Sequence, residues 1–235
     1  MSLKDGGPDK VMHTLEVRQN QVEYAGIFAR PAVSLWGEGK TLLDGLLNAF
    51  EGYHSGLNSF RTLGEPDAPA SQGIAVSVGQ QCTYRFKFER VEASLFNFGD
   101  ADLDLLAEIL GKGDLWVRSA VPGLTYSSHL FTYASHYALS EGTAKAYLKG
   151  VSALHVLEDG QNLGSGIIFH ADLPDRNWRI QLVVDHSLSV TDGLFVQMFV
   201  VVAGDIVNYA EAFSSGRTIL NSSLERLGLR FGEAG

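Results

Sequence analysis

The fold is most directly indicated by residues 177–203, which have the sequence NWRIQLVVDHSLSVTDGLFVQMFVVVA. Two strand-like runs, near 177–185 and 191–203, are separated by the short turn-forming sequence Thr191-Asp192-Gly193. A connection this short reverses the chain and leaves no room for the crossover that parallel strands require. We therefore predict an antiparallel hairpin. Its continuous apolar run, 194–202, is expected to be a central strand covered on both sides, either by helices or by a partner subunit.

The same pattern of short connections extends towards the N-terminus. Strand-like runs near 151–157 and 165–171 are separated by Asp159-Gly160-Gln161-Asn162, and Pro174-Asp175 precedes the hairpin. Such separators favour hairpins over helical crossovers, so the predicted sheet is mainly antiparallel. Further strands are predicted at 13–28 (one long or two short), at 73–97 (two strands broken at Gly79), and at 115–121 and 124–138 (divided by Pro122-Gly123).

Apolar residues at helical spacing predict four helices. The first spans 40–54 and the third 143–149. The second begins at Asp100 as N-cap and stops at Gly111-Lys112-Gly113. The fourth is C-terminal, is capped by Asp205, and has a kink or break at Ser214-Ser215-Gly216. The polar residues 56–72 are predicted to be a loop.

These elements predict an α+β fold in which helices pack on one face of a mainly antiparallel sheet. Residues 1–12 are interpreted as a flexible leader and 13–232 as a single domain. Its halves, 13–121 and 122–232, both run strand, helix, several strands, helix, so a duplicated architecture is one interpretation. A second is suggested by residues 178–227, whose hairpin and long helix resemble the end of a helix-grip ligand-binding fold.

Composition excludes several functional classes. The 235 residues carry a net charge of −9, with a pI near 5.2, which disfavours an electrostatic grip on nucleic-acid phosphates. The longest apolar stretch, 194–203, is far shorter than the roughly 20 residues that span a bilayer, so no membrane segment is predicted.

The lone Cys82 is interpreted as a core residue, with a reactive thiol as the alternative. The first ten residues lack a secretory signal, which indicates a cytoplasmic protein.

One motif points weakly to phosphate binding. Gly37-Glu38-Gly39-Lys40-Thr41 ends like a P-loop and opens a predicted helix, so Gly39, Lys40 and Thr41 are weak candidates for cofactor binding. Ser34 stands where the first P-loop glycine belongs. We therefore predict no cofactor.

Histidines provide the remaining candidates for chemistry. His170 and Asp172 share a strand face at the spacing of non-haem iron ligands, but only His186 follows them, so no metal site is predicted. His129 lies on the same strand face as Tyr133, in an aromatic stripe that is typical of core packing or of a pocket wall. Asp185-His186-Ser187 contains the residue types of a catalytic triad, but adjacent strand residues point apart.

No set of titratable residues combines the types and spacing that catalysis requires. The leading prediction is therefore a non-enzymatic binding or protein-interaction protein that forms a homodimer. One alternative is an enzyme whose site is assembled from distant residues, with the candidates His129, Tyr133, His170, Asp172 and His186. Another is a small-molecule-binding protein of helix-grip type.

The order of elements also suggests a family. A long N-terminal strand, an amphipathic helix and central strands precede a late hairpin, which leads into Gly204-Asp205-Ile206-Val207-Asn208-Tyr209-Ala210-Glu211. This order resembles a sporadically distributed family of bacterial proteins of about this length with no known function. The resemblance covers most of the chain without a diagnostic motif. It implies a bacterial cytosolic origin and carries over no catalytic residue.

Overall fold

The computed structural model describes residues 12–36, 39–53, 56–64, 72–151, 166–206 and 208–231. Its strands are β1 (His13–Phe28), β2 (Phe60–Leu63), β3 (Gly73–Val78), β4 (Cys82–Lys87), β5 (Arg90–Phe96), β6 (Tyr126–Leu139), β7 (Ile167–Leu173), β8 (Trp178–His186), β9 (Leu194–Ala203) and β10 (Leu229–Phe231). Its α-helices are α1 (Val33–Trp36), α2 (Gly39–Ala49), α3 (Asp100–Ala120), α4 (Ala144–Val151) and α5 (Tyr209–Arg226).

The strands belong to one sheet with the order β2-β3-β4-β5-β1-β6-β9-β8-β7, and β10 pairs with the start of β1. Every neighbouring pair along that order is antiparallel. Among the strands described, only the short β10 runs parallel to its neighbour. The prediction of an α+β fold with a mainly antiparallel sheet is therefore confirmed, and the hairpin predicted within 177–203 is the β8–β9 pair.

The two halves of the chain place their elements in the same order around a central pair of strands. β1 and β6 lie side by side at the centre. Outwards from them, the first half contributes β5, β4 and β3, whereas the second contributes β9, β8 and β7. The long helices α3 and α5, which follow β5 and β9, pack against each other. A local two-fold axis through the β1–β6 pair would relate the halves, which is the arrangement that a duplicated unit would produce.

The described helices cover only one face of the sheet. Alternate residues of β9 are buried beneath them, whereas the residues between are only partly covered. Antiparallel sheets commonly pack one face on the core and solvate the other. The expectation that helices cover the run 194–202 on both sides is therefore wrong for the described chain, and cover by a partner subunit stays a prediction. None of these helices combines the length and the hydrophobicity of a membrane span.

Several strand boundaries differ from the expectations. Residues 73–97 form three strands rather than two, because the chain turns back again at Phe88-Glu89. The predicted loop 56–72 contains β2, which pairs with β3 at one edge of the sheet. The strand predicted near 151–157 begins at Val151, the last residue of α4, and its remainder lies outside the described residues. The predicted leader 1–12 also lies outside them, apart from Met12.

Helix α3 extends well beyond its predicted end. The predicted stop at Gly111-Lys112-Gly113 and the predicted strand 115–121 are both wrong, because the helix continues to Ala120. A β-carbon on Gly113 would lie 2.7 Å from Cε2, Cζ and Oη of Tyr84, so this glycine lets the helix approach β4 closely. The predicted N-cap, Asp100, is wrong as well. Gly99 occupies that position, and its N–H donates to the carboxylate of Asp102 at 2.8 Å.

Helix α5 begins later than predicted and does not break. Its N-cap is Asn208, whose side-chain oxygen accepts the N–H of Glu211 at 3.1 Å, so the predicted cap Asp205 is wrong. Of the kink or break predicted at Ser214-Ser215-Gly216, the break is wrong, since the helix is continuous. A β-carbon on Gly216 would lie 2.6 Å from Tyr133 Oη, so this glycine marks another close approach of a helix to the sheet.

Candidate functional site

The five residues predicted for a dispersed catalytic site do not meet in one place. His129 and Tyr133 are buried on β6, on the side that the helices cover. His170 and Asp172 are exposed on β7, on the other face of the sheet and three positions away in the strand order. Because neighbouring strands are about 4.8 Å apart, roughly 14 Å or more separates the two pairs. His186 is the last residue of β8 and lies beside neither pair.

Structural partners engage several of these side chains. Tyr133 Oη donates a hydrogen bond to the carbonyl of Phe213 at 3.1 Å, which ties β6 to α5. Asp172 accepts from Arg179 Nε at 3.1 Å in an ion pair that is largely exposed. The described part of the chain contains no group of three or more histidine, cysteine, aspartate or glutamate side chains that could hold a metal ion.

The weak phosphate-binding candidates begin α2. Gly39, Lys40 and Thr41 form its first turn, but their side chains and all of residues 37–38 lie outside the described part of the chain. The segment just before them is the one-turn helix α1, whereas a P-loop follows a strand of a parallel sheet. Residues 33–36 are therefore helical, whereas a P-loop has its phosphate-binding loop at this place in the motif.

Cys82 lies in the core at the start of β4. Burial raises the pKa of its thiol to about 12, although the charge of Arg85 acts in the opposite direction. The thiolate is the nucleophilic form, and it is scarce at neutral pH when the pKa is this high. The environment therefore favours the core interpretation over a reactive thiol.

One polar part of the core consists of His129 and four tyrosines. His129 Nδ1 shares a 2.6 Å hydrogen bond with Tyr24 Oη, which also donates to Tyr209 Oη at 3.3 Å. The ring of Tyr126 packs 4.6 Å from that of His129, centre to centre. Tyr84, the fourth tyrosine, is fully buried on β4. These five side chains lie between the sheet and the helices, and we call them the His129 cluster.

The His129 cluster is uncharged at neutral pH. Burial lowers the pKa of His129 to about 4, with opposing contributions from Asp205, which raises it, and Arg118, which lowers it. Burial also raises the pKa of all four tyrosine hydroxyls. Tyr84 Oη, Tyr126 Oη and His129 Nε2 make no hydrogen bond of normal geometry within the described chain. The cluster is closed to solvent and holds no group poised to transfer a proton near pH 7.

An ion-pair network borders the cluster at the end of α3. Arg118 Nε binds both carboxylate oxygens of Asp114 at 2.9 Å, and its Nη2 binds Asp205 at 2.9 Å. Asp205 also accepts the main-chain N–H of Tyr126 at 3.1 Å. Burial acts to raise the pKa of Asp205, but the hydrogen bonds from Arg118 and Tyr126 outweigh it and lower the pKa. Asp205 therefore joins α3 to the start of β6 instead of capping α5.

Replacing Asp205 with alanine is expected to lower the free energy of unfolding by about 1 kcal/mol. The variant loses the acceptor for Tyr126 N–H and an ion pair whose side chains are 33% and 40% exposed, so screening by solvent limits the loss. Urea denaturation measures the change. Glu225→Ala is the control, because Glu225 is an exposed acid for which a change within about 0.5 kcal/mol is expected. Equal stabilities for the two variants would contradict this role of Asp205.

The structure brings together one serine–histidine pair that sequence spacing does not reveal. His136 Nδ1 lies 2.8 Å from Ser187 Oγ, although 51 positions separate the two residues. The same hydroxyl accepts the main-chain N–H groups of Ser189 and Val190, at 3.1 and 2.8 Å. These bonds are those of a serine that stabilises a tight turn. A histidine 51 residues away from its serine leaves no local signal in a single sequence.

The face of the sheet opposite the helices has a mainly apolar centre, which also contains the polar side chains of Thr132, His136 and Gln197. Its central side chains alternate with the buried ones along β6 and β9, and they include Leu130, Phe195, Phe199 and Val201. Leu130 and Phe199 also border a shallow depression of about 310 Å³. We call this side of the sheet the open face.

Charged side chains flank that apolar centre. The first flank, on β1, β4 and β5, has three cations and two carboxylates, and the second, on β7 and β8, has one cation and two carboxylates. Within the first, Glu92 Oε1 pairs with Lys87 at 2.9 Å and with Arg90 at 2.6 Å. The members are Glu23, Arg85, Lys87, Arg90 and Glu92 on the first flank, and Asp172, Arg179 and Asp185 on the second.

A groove of about 430 Å³ lies on the helix side of the sheet, between α5 and the strands β7 and β8. Its floor includes Phe169, Leu173, Ile180 and Leu182. Its wall on α5 is formed by Ile219, Ser222, Ser223, Arg226 and Leu227. We call it the α5 groove. It exceeds the roughly 300 Å³ at which small-molecule pockets begin.

Comparison with known proteins does not assign this chain to a family. No family model matches it, and no curated protein does. Function therefore has to be argued from the surfaces described above.

Proposed function

We propose that this chain is a non-enzymatic interaction protein that binds a second copy of itself through the open face. The observation that carries the proposal is the partly exposed apolar surface of Leu130, Phe195, Phe199 and Val201, which the described helices leave uncovered. Aromatic side chains are enriched and charged ones depleted at the centres of protein interfaces. A second copy presents the same centre and covers it symmetrically, as in most homo-oligomers.

The charged flanks support a symmetric arrangement. A two-fold axis that lies in the interface, parallel to the strands and above the boundary between β6 and β9, places the first flank of each copy over the second flank of the other. Three cations and two carboxylates then face one cation and two carboxylates, so flanks of opposite net charge meet. Such complementarity favours the correct register over like-charged alternatives.

The area of the open face fits a stable dimer. The five strands β5, β1, β6, β9 and β8 span about 24 Å at 4.8 Å per strand, and nine residues of a strand span about 30 Å. The resulting face of roughly 700 Å² is close to the 800 Å² that each partner contributes to a standard interface.

Two features of the site support a role without catalysis. The five candidate catalytic residues are separated on two faces, and the His129 cluster is enclosed and uncharged. A cytoplasmic location also belongs to this proposal. It is supported by Cys82, which is buried and is the chain's single cysteine.

Phe199→Glu is expected to convert the dimer into a monomer. The substitution places one carboxylate from each copy in the apolar centre, where desolvation and like-charge repulsion oppose association. Light scattering coupled to size-exclusion chromatography at micromolar concentration measures the mass. We expect twice the 25.5 kDa chain mass for the unmodified protein and a single chain mass for the variant.

Leu115→Glu is the matched control, because Leu115 is 73% exposed on α3, on the helix side of the molecule. It adds the same charge and is expected to leave the dimer intact. A monomeric unmodified protein at micromolar concentration would overturn the proposal. So would a Phe199→Glu variant that remains dimeric.

A further inference from the structure

The depression on the open face lies where β1 carries a small side chain. Ala25 is flanked, in one row of the sheet, by Glu92 on β5 and Leu130 on β6. Its methyl group is much shorter than either neighbour, and all three residues line the depression of about 310 Å³. Glu23, two positions earlier on the same face of β1, lines it as well. The depression therefore has two carboxylates in its wall.

An arginine occupies the same row of the sheet beyond the apolar centre. The row continues from Ala25 through Leu130 and Val201 to Arg179 on β8. The Arg179 side chain is 77% exposed, and its ion pair with Asp172 at 3.1 Å is exposed too. Such an exposed pair is weak in water, so Arg179 is free to gain a second carboxylate.

The two-fold axis of the proposed dimer brings this arginine and the depression together. An axis parallel to the strands keeps every residue at its own height along them and exchanges the two sides of the β6–β9 boundary. The strand β1 of one copy then faces β8 of the other, because each is the second strand from that boundary. Since Ala25 and Arg179 share a row, Arg179 of each copy lies over Ala25 of the other.

Side-chain length fits this contact. Packed sheets lie about 10 Å apart, and the side chains of the two facing surfaces interdigitate across the gap. Alanine crosses little of the gap, whereas arginine has a long, flexible side chain. The guanidinium of Arg179 is therefore expected to reach the depression of the second copy, beside Glu23.

Glu23 is the better acceptor of the two carboxylates. Glu92 is already bound by two cations of its own copy, at 2.9 and 2.6 Å. Glu23 is exposed and accepts a hydrogen bond from the amide of Gln21, an uncharged donor. A guanidinium presents N–H donors in a fork that matches a carboxylate, and the bond strengthens when water is excluded.

Asp172 accompanies Arg179 into the same contact. The axis also places β7 of the second copy over β5, so Asp172 lies over the row that holds Arg85 and Glu92. Arg90, two positions before Glu92, adds a second cation there and is paired with Glu92 at 2.6 Å. The ion pair of one copy therefore meets cations and carboxylates of the other in a complementary arrangement.

We propose that Arg179 of each copy inserts into the depression on the open face of the other copy and binds the carboxylate of Glu23. This inference rests on the proposed dimer and adds the contact that selects its partner. An apolar surface without a cation at this place would bury Glu23 unpaired, which disfavours other partners. The two-fold axis gives each dimer two such contacts.

Arg179→Ala is expected to raise the dissociation constant of the dimer roughly 100-fold. Loss of a charge-assisted hydrogen bond costs about tenfold in affinity, and each dimer loses two. Sedimentation equilibrium measures the constant. Lys149→Ala is the matched control, because it removes an exposed cation from α4, on the other side of the sheet, and should leave the constant unchanged. An Arg179→Ala variant that dimerises as tightly as the unmodified protein overturns the proposal.

Charge reversal tests whether Glu23 is the acceptor. Arg179→Glu and Glu23→Arg should each weaken the dimer, because like charges then meet in the depression. The double variant restores opposite charges and is expected to dimerise at least tenfold more tightly than either single variant. Both positions are exposed, so all three variants are expected to fold. A double variant that is no tighter than the weaker single variant overturns the assignment of Glu23.

Phe199→Glu distinguishes failure of this contact from failure of the dimer. An unmodified protein that is monomeric at micromolar concentration overturns both proposals. A dimer that Phe199→Glu dissociates but Arg179→Ala leaves unchanged supports the open face as the interface and overturns only the contact made by Arg179.

Discussion

Gly113→Ala is expected to lower the free energy of unfolding by about 2 kcal/mol, because overpacking against Tyr84 outweighs the gain in helix propensity. The new β-carbon would lie 2.7 Å from three atoms of a ring that is completely buried and cannot move aside cheaply. Overpacking costs up to about 3 kcal/mol, and alanine returns roughly 1 kcal/mol in the middle of a helix.

Gly111→Ala is the matched control, two positions earlier in α3. No atom lies within 4 Å of the β-carbon that it would add, and the position is exposed. This variant is expected to gain up to about 1 kcal/mol from helix propensity alone. Urea denaturation at a fixed protein concentration measures both variants, since self-association also contributes to stability. Gly113→Ala with a stability at or above that of the unmodified protein would contradict the packing of α3 against Tyr84.

The same two glycines show where sequence reasoning is limited. Gly-Lys-Gly resembles a helix stop because glycine is a poor helix former and is common just after helix ends. The helix α3 nevertheless continues through Gly113. Val117, one turn later on the same face of the helix, is buried in the core. The close approach of Tyr84 that requires Gly113 comes from a residue 29 positions earlier, so no local pattern contains it.

The start of α5 could have been predicted correctly. Asn208 followed three positions later by Glu211 has the spacing of a capping box, which is a stronger signal than an isolated aspartate. Asp205 was the more obvious acid before the apolar periodicity, but its partners are Arg118 and the N–H of Tyr126, both about 80 or more positions away. Local spacing identifies caps, whereas it cannot assign an acid to a distant arginine.

Alternation along the strands predicted the faces of the sheet more reliably than any site. It placed His129 and Tyr133 on one side of β6, where both are buried. It could not show that Phe169 on β7 is 43% exposed whereas Val76 on β3 is completely buried, because that difference depends on which elements pack over each end of the sheet. The open face and the α5 groove both arise from tertiary cover, which periodicity does not encode.

The protein is expected to lose roughly 3 kcal/mol of stability at His129 as the pH falls from 6.5 to 4. The pKa of His129 is about 4 in the folded chain, against 6.5 for an unperturbed histidine. Between these values the unfolded chain binds a proton at this site that the folded chain does not. Protonation therefore favours unfolding, and stability falls with the pH across this window. Well below pH 4, His129 is protonated in both the folded and the unfolded chain, so it no longer changes the stability as the pH falls.

His129→Phe tests this assignment, because it removes the titrating imidazole while keeping an aromatic ring in the core. Tyr24 loses its bond to Nδ1 but retains its bond to Tyr209, so the loss of stability at pH 7 should be near 1 kcal/mol. Carboxylates also titrate below pH 5, so the informative quantity is the stability of the unmodified protein minus that of the variant, measured by urea denaturation at each pH. We expect this difference to fall by roughly 3 kcal/mol from pH 6.5 to 4. A flat difference for His129→Phe would instead mean that the imidazole remains hydrated and that the His129 cluster is open to water.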